Sequence, residues 1–179
     1  RRRGSAPGRS RRAHSPGQGL MRILVQRVRE ASVSVDGRVV AAISRGLLAL
    51  VGFGRDDGPD FHQSPAFAGM VRKLLDLRIF PGQGDAARKF HCSLQDFGGQ
   101  ALLVPQFTLY ADCRKGRRPS FTDAGDPAWA AAMFERFVRH VDESCHGSVS
   151  SGIFGAEMEV RLCNWGPVTI WLDSTRFFS

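Results

Sequence analysis

The chain has 179 residues, of which 42% are hydrophobic, and a formal net charge of +8. This length suggests one domain, and no apolar stretch approaches the ~20 residues that a membrane-spanning helix needs. The cysteines form no C-x-x-C pair, the histidines form no H-x-x-H pattern and no P-loop is present, so we expect no metal and no other cofactor. Without a secretory segment, a reduced, cytoplasmic protein that does not contact membranes is the simplest expectation.

The positive charge is concentrated at the N-terminus, where residues 1–20 hold six arginines and no acidic residue. Such a composition suits a nucleic-acid-binding arm or an organelle presequence. We favour a disordered basic leader, because few apolar residues are present to form an amphipathic stripe. Met21 opens the first patterned segment, so we place the folded domain at residues 21–174 and a C-terminal tail at 175–179.

The first part of this domain predicts a β-meander. Residues 22–28 have the composition of a strand, and residues 31–35 alternate with period two. Asp36-Gly37 is a strong hairpin turn. Residues 38–43 then return as a strand, and residues 47–53 form a buried one.

The pattern next changes to helical spacing. Ser64-Pro65 has the form of an N-cap followed by proline at the first helical position, and the helix should end near Asp76. Asp126-Pro127 begins a second amphipathic helix in the same way. Further strands are predicted at 77–80, 101–104, 157–163 and 170–172. Together these elements predict an α+β fold, in which sheets curled into a barrel or sandwich carry two amphipathic helices.

Polar groups at the end of strand 101–104 are the first candidates for chemistry. Strand alternation places Gln106 and Thr108 on one side and Phe107 on the other. A glutamine amide and backbone N–H groups can hold a carbonyl oxygen or a developing oxyanion. Thr108 needs a neighbouring base to act as a nucleophile. Because no histidine lies within a few residues, we favour a hydrogen-bonding or structural role for Thr108.

A basic run, residues 114–118, follows. Phosphate contact with nucleic acid and a plain solvated loop explain it about equally well. Phe107 and Phe121, on either side of the run, offer stacking surfaces for an unpaired base. The run consists of Arg114, Lys115, Arg117 and Arg118.

Small and apolar residues precede the last predicted strands. They fit a flat pocket for a purine or, more simply, core packing at a strand entrance. These residues are Phe154, Gly155, Ala156 and Met158. A thiol–imidazole pair of Cys145 and His146, which a cysteine hydrolase would use, is disfavoured, because adjacent residues at a helix end rarely point at each other.

Gly166 and Pro167 stand between the last two predicted strands. Proline fixes φ, removes one N–H donor and makes a cis peptide bond far less costly than at other residues. Such a site can expose backbone carbonyls in a fixed orientation. It then selects ligands by shape and carbonyl repulsion, without a charged side chain.

Seven segments occur in the order in which they occur in one known family. They are residues 21–28, 46–48, 77–80, 106–112, 114–121, 154–156 and 164–169. With them, the chain resembles the D-aminoacyl-tRNA deacylases over most of its length beyond the leader. The resemblance implies a homodimer with two active sites at the subunit interface. Each site would hydrolyse the ester that links a D-amino acid, or mischarged glycine, to the terminal adenosine of tRNA.

The resemblance also implies roles for the candidate residues. Gly166 and Pro167, joined by a cis bond and inserted from the partner subunit, would reject L side chains through their carbonyls. Arg27 would orient this pair. The catalytic segment of Gln106, Phe107 and Thr108 would line the ester, with water, backbone donors and the ribose 2′-hydroxyl of the substrate carrying out the reaction. Adenine would lie near the apolar residues 154–156 and 158, and the basic run would contact tRNA phosphates.

Two positions depart from the family pattern. Pro105 stands where the family commonly has serine, which removes a hydroxyl and a backbone N–H before Gln106. Trp165 stands where a small or acidic residue is usual. A non-catalytic nucleic-acid-binding protein on the same fold remains the alternative, based on the leader and the basic run.

Overall fold

The structure is a computed structural model that describes residues 21–55, 58–82 and 90–177. The expected basic leader lies outside these residues. One mixed sheet of six strands forms the centre of the molecule. The strands are β1 (Arg22–Val35), β2 (Arg38–Ile43), β3 (Gly46–Gly52), β4 (Gln100–Pro105), β5 (Val149–Ser151) and β6 (Glu159–Asp173).

Strand β1 organises the sheet because both of its edges are paired. β6 runs antiparallel along one edge, while β3 and β2 pair antiparallel with the two halves of the other edge. β4 pairs in parallel with β3, and β5 in parallel with β4. The sheet curls until β2 lies near β4 and β5, which makes a nearly closed barrel. The predicted α+β class with a curled sheet is therefore confirmed.

The hairpin between β1 and β2 has the predicted turn. Asp36 and Gly37 have φ of 49° and 72°. Two successive residues with positive φ are what a type I′ turn requires, and Asp-Gly is one of the pairs that adopt it readily.

Two amphipathic helices, α1 (Pro65–Asp76) and α3 (Pro127–Ser144), bury their apolar stripes in the larger core cluster. Both predicted N-caps are confirmed. The Ser64 hydroxyl accepts a hydrogen bond from Phe67 N at 3.1 Å, and the Asp126 carboxylate accepts bonds from the first turn of α3. A second, smaller cluster fills the inside of the curl with residues of β1, β2, β3 and β4.

Several segments differ from the prediction, among them the short strand β5, which the sequence pattern does not predict. Residues 77–80 form no strand, and only the single bridge between Phe80 and Cys92 is present there. A one-turn helix that the pattern does not predict, α2 (Leu94–Phe97), follows with a reciprocal cap between Ser93 and Asp96. The last two predicted strands are one continuous strand, β6, because the Gly-Pro pair is accommodated as a bulge.

The chain end is ordered by its contacts with β1. Residues Ser174–Phe177 form a helical turn, α4, where the sequence suggests a tail. The Ser174 hydroxyl accepts a hydrogen bond from Met21 N at 2.9 Å, and Thr175 N donates to the Asp173 carboxylate at 3.1 Å. The first bond ties the turn to Met21, the residue before β1, and the second bond caps the turn from the end of β6. Residues 178–179 lie outside the described part of the chain.

Candidate active site

The Gly166-Pro167 pair lies in a bulge of β6. Between the pairs Gln26–Thr169 and Val28–Asn164, β1 advances by two residues while β6 advances by five. The Asn164 side chain closes the base of this bulge, since its Oδ1 accepts from Val168 N at 2.7 Å and its Nδ2 donates to Val168 O at 3.2 Å. The Gly166–Pro167 bond is cis, and both residues are exposed. We call residues 164–168 the Gly-Pro bulge.

Arg27 contacts the Gly-Pro bulge from β1. Its Nε donates to Trp165 O at 2.8 Å, its Nη1 donates to Ile79 O, and the side chain is 3% exposed. Burial lowers the pKa of Arg27, and the charge of Arg29 lowers it further. Arg27 nevertheless remains a cation at neutral pH, because a guanidinium does not deprotonate in proteins. Arg27 thus contacts the Gly-Pro motif within its own chain, and its orienting role across a dimer stays a prediction.

Only glycine fits at position 166. Its φ of 138° lies in a region that residues with a Cβ rarely adopt. A Cβ there would lie 2.8 Å from Arg27 Nη2 and 2.8 Å from Val168 Cγ2. The position of the Arg27 guanidinium therefore limits where the backbone of the bulge can lie.

The catalytic segment predicted at residues 106–108 leaves β4 as a tight turn. Residues Phe107–Tyr110 form a 3-10 helix, so strand alternation does not apply after Pro105. Gln106 and Thr108 still lie on one side, because the Gln106 amide donates to the Thr108 hydroxyl. Among the described residues, no imidazole, carboxylate or amine is hydrogen-bonded to Thr108. A nucleophilic threonine would need such a base.

Arg22, which sequence reasoning did not single out, anchors this turn. Its Nη1 donates to Leu109 O at 3.0 Å, and its Cζ lies 4.4 Å from the centroid of the Tyr110 ring. Its Nε lies 3.5 Å from the Asp173 carboxylate. The turn after β4 is therefore fixed against the start of β1 and the end of β6.

The four residues predicted to bind adenine do not all lie at the same place in the structure. A Cβ on Gly152 would lie 2.8 Å from Met158 Sδ and 3.5 Å from Pro105 Cδ, so Met158 lies beside the entrance to the catalytic segment. Phe154 instead lines a cavity of about 430 Å³ next to α3. Gly155 and Ala156 form the turn between them, with a φ of 76° at Gly155. Gly152 lies beside Met158 and also lines the cavity that contains Phe154. Sequence reasoning did not single out Gly152.

The basic run forms a loop closed by a bridge between Asp112 and Ser120. Arg114 binds Asp112 through two charge-assisted bonds, at 2.8 Å and 2.7 Å. This pairing lowers the pKa of Asp112 to about 2 and raises the pKa of Arg114. Arg114 is thus occupied by an internal partner. The other three cations of the run, Lys115, Arg117 and Arg118, are exposed on the loop.

The Gly-Pro bulge and the catalytic segment lie at different levels of the sheet. The bulge is level with Arg27, whereas Leu109 O accepts its bond from Arg22, at the start of β1. Five residues along a strand span about 17 Å. The residues of β1 that contact the two groups are therefore about 17 Å apart along the strand.

Other chemistries find little support in the described ranges. Burial raises the pKa of the Cys145 thiol, which disfavours the thiolate that a cysteine hydrolase needs. The backbone N–H of the adjacent His146 donates to the Gln95 side chain at 2.8 Å. Within residues 21–55, 58–82 and 90–177, no cluster of three or more His, Cys, Asp or Glu is suited to a metal ion. No helix in those ranges is both long enough and apolar enough to cross a bilayer.

Comparisons with known proteins agree on one family. The family model described as D-Tyr-tRNA(Tyr) deacylase matches residues 24–173. A D-aminoacyl-tRNA deacylase of Desulfovibrio desulfuricans is 77% identical over 158 residues, which cover 88% of this chain and 99% of that protein. One from Solidesulfovibrio magneticus is 56% identical over 86% of this chain and 96% of its own length.

Solved structures show the same fold. One titled "c-Myc DNA Unwinding Element Binding Protein" is 34% identical, with a TM-score of 0.76 over 84% of this chain and 97% of its own. Another, titled as a probable eukaryotic D-amino acid tRNA deacylase, is 22% identical, with a TM-score of 0.71 over 86% and 99%. The second likeness is evidence for the fold alone.

Proposed function

Since the chain belongs to the D-Tyr-tRNA(Tyr) deacylase family, we propose that it hydrolyses the ester bond of D-aminoacyl-tRNA and releases the free amino acid and tRNA. Water attacks the ester carbonyl, and the ribose oxygen leaves with a proton. The Gln106 amide and backbone N–H groups of the catalytic segment stabilise the developing oxyanion. Thr108 orients Gln106 through the hydrogen bond between their side chains. The 2′-hydroxyl of the substrate ribose takes part in this hydrolysis.

Chirality is selected by exclusion. The carbonyls of Gly166 and Pro167 occupy the side of the substrate α-carbon where an L side chain would project, so L substrates are rejected. A D side chain points away, and glycine has none. The observation that carries this proposal is the Gly-Pro bulge itself, exposed at its tip and fixed by the buried Arg27 at its base.

Two copies of the chain are needed for each site. The bulge and the catalytic segment contact residues of β1 that lie about 17 Å apart along the strand, which supports a homodimer in which each protomer inserts its bulge into the site of the other. Adenine of the tRNA end lies on the side of Met158, next to the catalytic segment, and residues 154–156 form the turn beyond it. The exposed cations Lys115, Arg117 and Arg118 contact phosphates of the same tRNA.

Hydrolysis of D- and L-tyrosyl-tRNA by the purified protein tests the activity. We expect rapid release of D-tyrosine, slow release of L-tyrosine and release of glycine from glycyl-tRNA. Equal rates for both tyrosine enantiomers would contradict the selection mechanism, and no hydrolysis of either would contradict the activity.

Heterodimers test the shared site. Gly166→Ala removes the bulge geometry and Gln106→Ala removes the oxyanion donor, so each homodimer should be nearly inactive. In a heterodimer purified with two affinity tags, one of the two sites combines an intact bulge with an intact catalytic segment. It should regain about half of the wild-type activity. A heterodimer as inactive as its parents would place both groups in the same subunit.

Nucleic-acid binding without catalysis is the second candidate, and the exposed basic loop favours it. It predicts salt-sensitive binding of RNA or DNA that persists in Gly166→Ala. Replacing Lys115, Arg117 and Arg118 with glutamine should lower the slope of log affinity against log salt by up to about 3. Strong binding by a protein that hydrolyses no aminoacyl-tRNA would favour this candidate.

A further inference from the structure

Aromatic rings form a second set of contacts with the Gly-Pro bulge. The centroid of the Trp165 ring lies 4.6 Å from Arg27 Cζ and 4.8 Å from Arg29 Cζ. The Phe97 ring, on α2, lies 6.0 Å from the Trp165 ring, and the Phe80 ring stacks on Phe97 at 4.8 Å. We call Phe80, Phe97 and Trp165 the aromatic brace.

Arg27 forms hydrogen bonds near both ends of the aromatic brace. Its Nη1 donates to the carbonyl of Ile79, the residue before Phe80, and its Nε donates to the carbonyl of Trp165. Both ends of the brace are therefore tied to one guanidinium. Because a Cβ on Gly166 would lie 2.8 Å from Arg27 Nη2, a shift of the brace reaches the Gly166 backbone through Arg27.

The Trp165 ring also reduces the repulsion between two neighbouring arginines. Arg27 and Arg29 both lie beside the Trp165 ring, and the charge of Arg29 lowers the pKa of Arg27. The face of an indole ring attracts cations more strongly than other aromatic faces. One ring that contacts both guanidinium groups offsets their repulsion and keeps Arg27 beneath the bulge.

We propose that Trp165, supported by Arg29 and Phe97, is a positioning residue that sets the orientation of the Gly166 and Pro167 carbonyls and thereby the strictness with which L substrates are rejected. This inference rests on the proposed function. Trp165 acts through Arg27 and Gly166 and not on the ester. Loss of the ring should therefore reduce discrimination between enantiomers more than it reduces hydrolysis of D substrates.

The test measures kcat and KM for D- and L-tyrosyl-tRNA. In Trp165→Ala we expect the D-to-L ratio of kcat/KM to fall at least about 10-fold, and in Arg29→Gln about 3-fold. Trp165→Phe and Arg29→Lys keep a ring and a cation, and should stay within about 2-fold of the wild type. Arg161→Gln is the matched control, since Arg161 is an exposed arginine of β6 that pairs with Glu159.

A second readout does not depend on catalysis. Hydrogen exchange of the Val168 amide, which donates to Asn164 Oδ1, reports how firmly the bulge is held. Exchange should accelerate in Trp165→Ala and Arg29→Gln but not in the three conservative or control variants. If the wild type hydrolyses no D-aminoacyl-tRNA, the proposed function fails and exchange alone decides the positioning role.

The inference is overturned by an active wild type whose Trp165→Ala variant keeps its D-to-L ratio within about 2-fold. Unchanged exchange at Val168 in that variant overturns it as well. Should Trp165→Ala fail to fold, Arg29→Gln decides, because Arg29 is exposed and its replacement leaves the core intact.

Discussion

Replacing Gly166 with alanine puts a methyl carbon 2.8 Å from both Arg27 Nη2 and Val168 Cγ2. Neither neighbour can yield freely, since Arg27 is buried and bonded to two carbonyls, and Val168 is buried with its backbone N–H bonded to Asn164. The φ of 138° adds backbone strain. Strain and crowding each cost about 1–3 kcal/mol.

Even the lower ends of these ranges add to about 2 kcal/mol, and about 1.4 kcal/mol is a factor of ten. The native bulge would then be populated at least about 30-fold less. Because a displaced bulge carrying an added methyl group crowds the pocket for the D substrate as well, we expect kcat/KM for D-tyrosyl-tRNA to fall by at least that factor. Gly37→Ala is the control, because its φ is 72° but nothing lies within 4 Å of the added carbon. It should lower the melting temperature and spare activity. Full activity and an unchanged melting temperature in Gly166→Ala would refute the packing described here.

Three further predictions concern other parts of the molecule. Thr108→Ala should lower kcat/KM about 2- to 10-fold by removing one hydrogen bond, and a loss above about 1,000-fold would revive the nucleophile. Asp126→Ala should lower the free energy of unfolding by about 1 kcal/mol and the melting temperature by about 2–4 °C, whereas Asp126→Asn should keep the cap. Equal losses of stability in both variants would refute the capping role. The Asp112 carboxyl should titrate at about 2, so its pairing with Arg114 is complete above the ordinary pKa of 3.8 and is lost as the pH falls through 2. In Arg114→Gln, NMR titration should show the pKa of Asp112 moving back towards 3.8, and an unmoved value would contradict the pairing.

Elements with local signals were predicted well. Asp36-Gly37 specifies its turn through the φ values of two adjacent residues, and Ser64 and Asp126 cap their helices through backbone groups two or three residues away. Such interactions depend on few neighbours, so the sequence alone contains them. The capping box of Ser93 and Asp96 is equally local and could have revealed α2. It was missed because a helix of four residues has no apolar period.

Elements fixed by distant partners were not predictable. The Gly-Pro pair interrupts the alternation of polar and apolar residues in β6, so the sequence pattern predicts two strands. The Asn164 side chain closes the bulge, and pairing with β1 continues beyond it. In the site, residues 106–108 and 166–167 could be marked from the sequence. The bonds of Arg27 to Ile79 and Trp165 could not, because they join residues 52 and 138 positions apart.

Pairing of β6 with β1 is anchored on each side of the Gly-Pro bulge, at Val28–Asn164 and Gln26–Thr169. A strand that loses or gains one residue normally turns every later side chain to the opposite face. Here pairing resumes at the second anchor, so the core position Leu172 does not depend on how the bulge is built. Changes confined to the bulge can therefore alter discrimination while the strand register of the barrel is preserved.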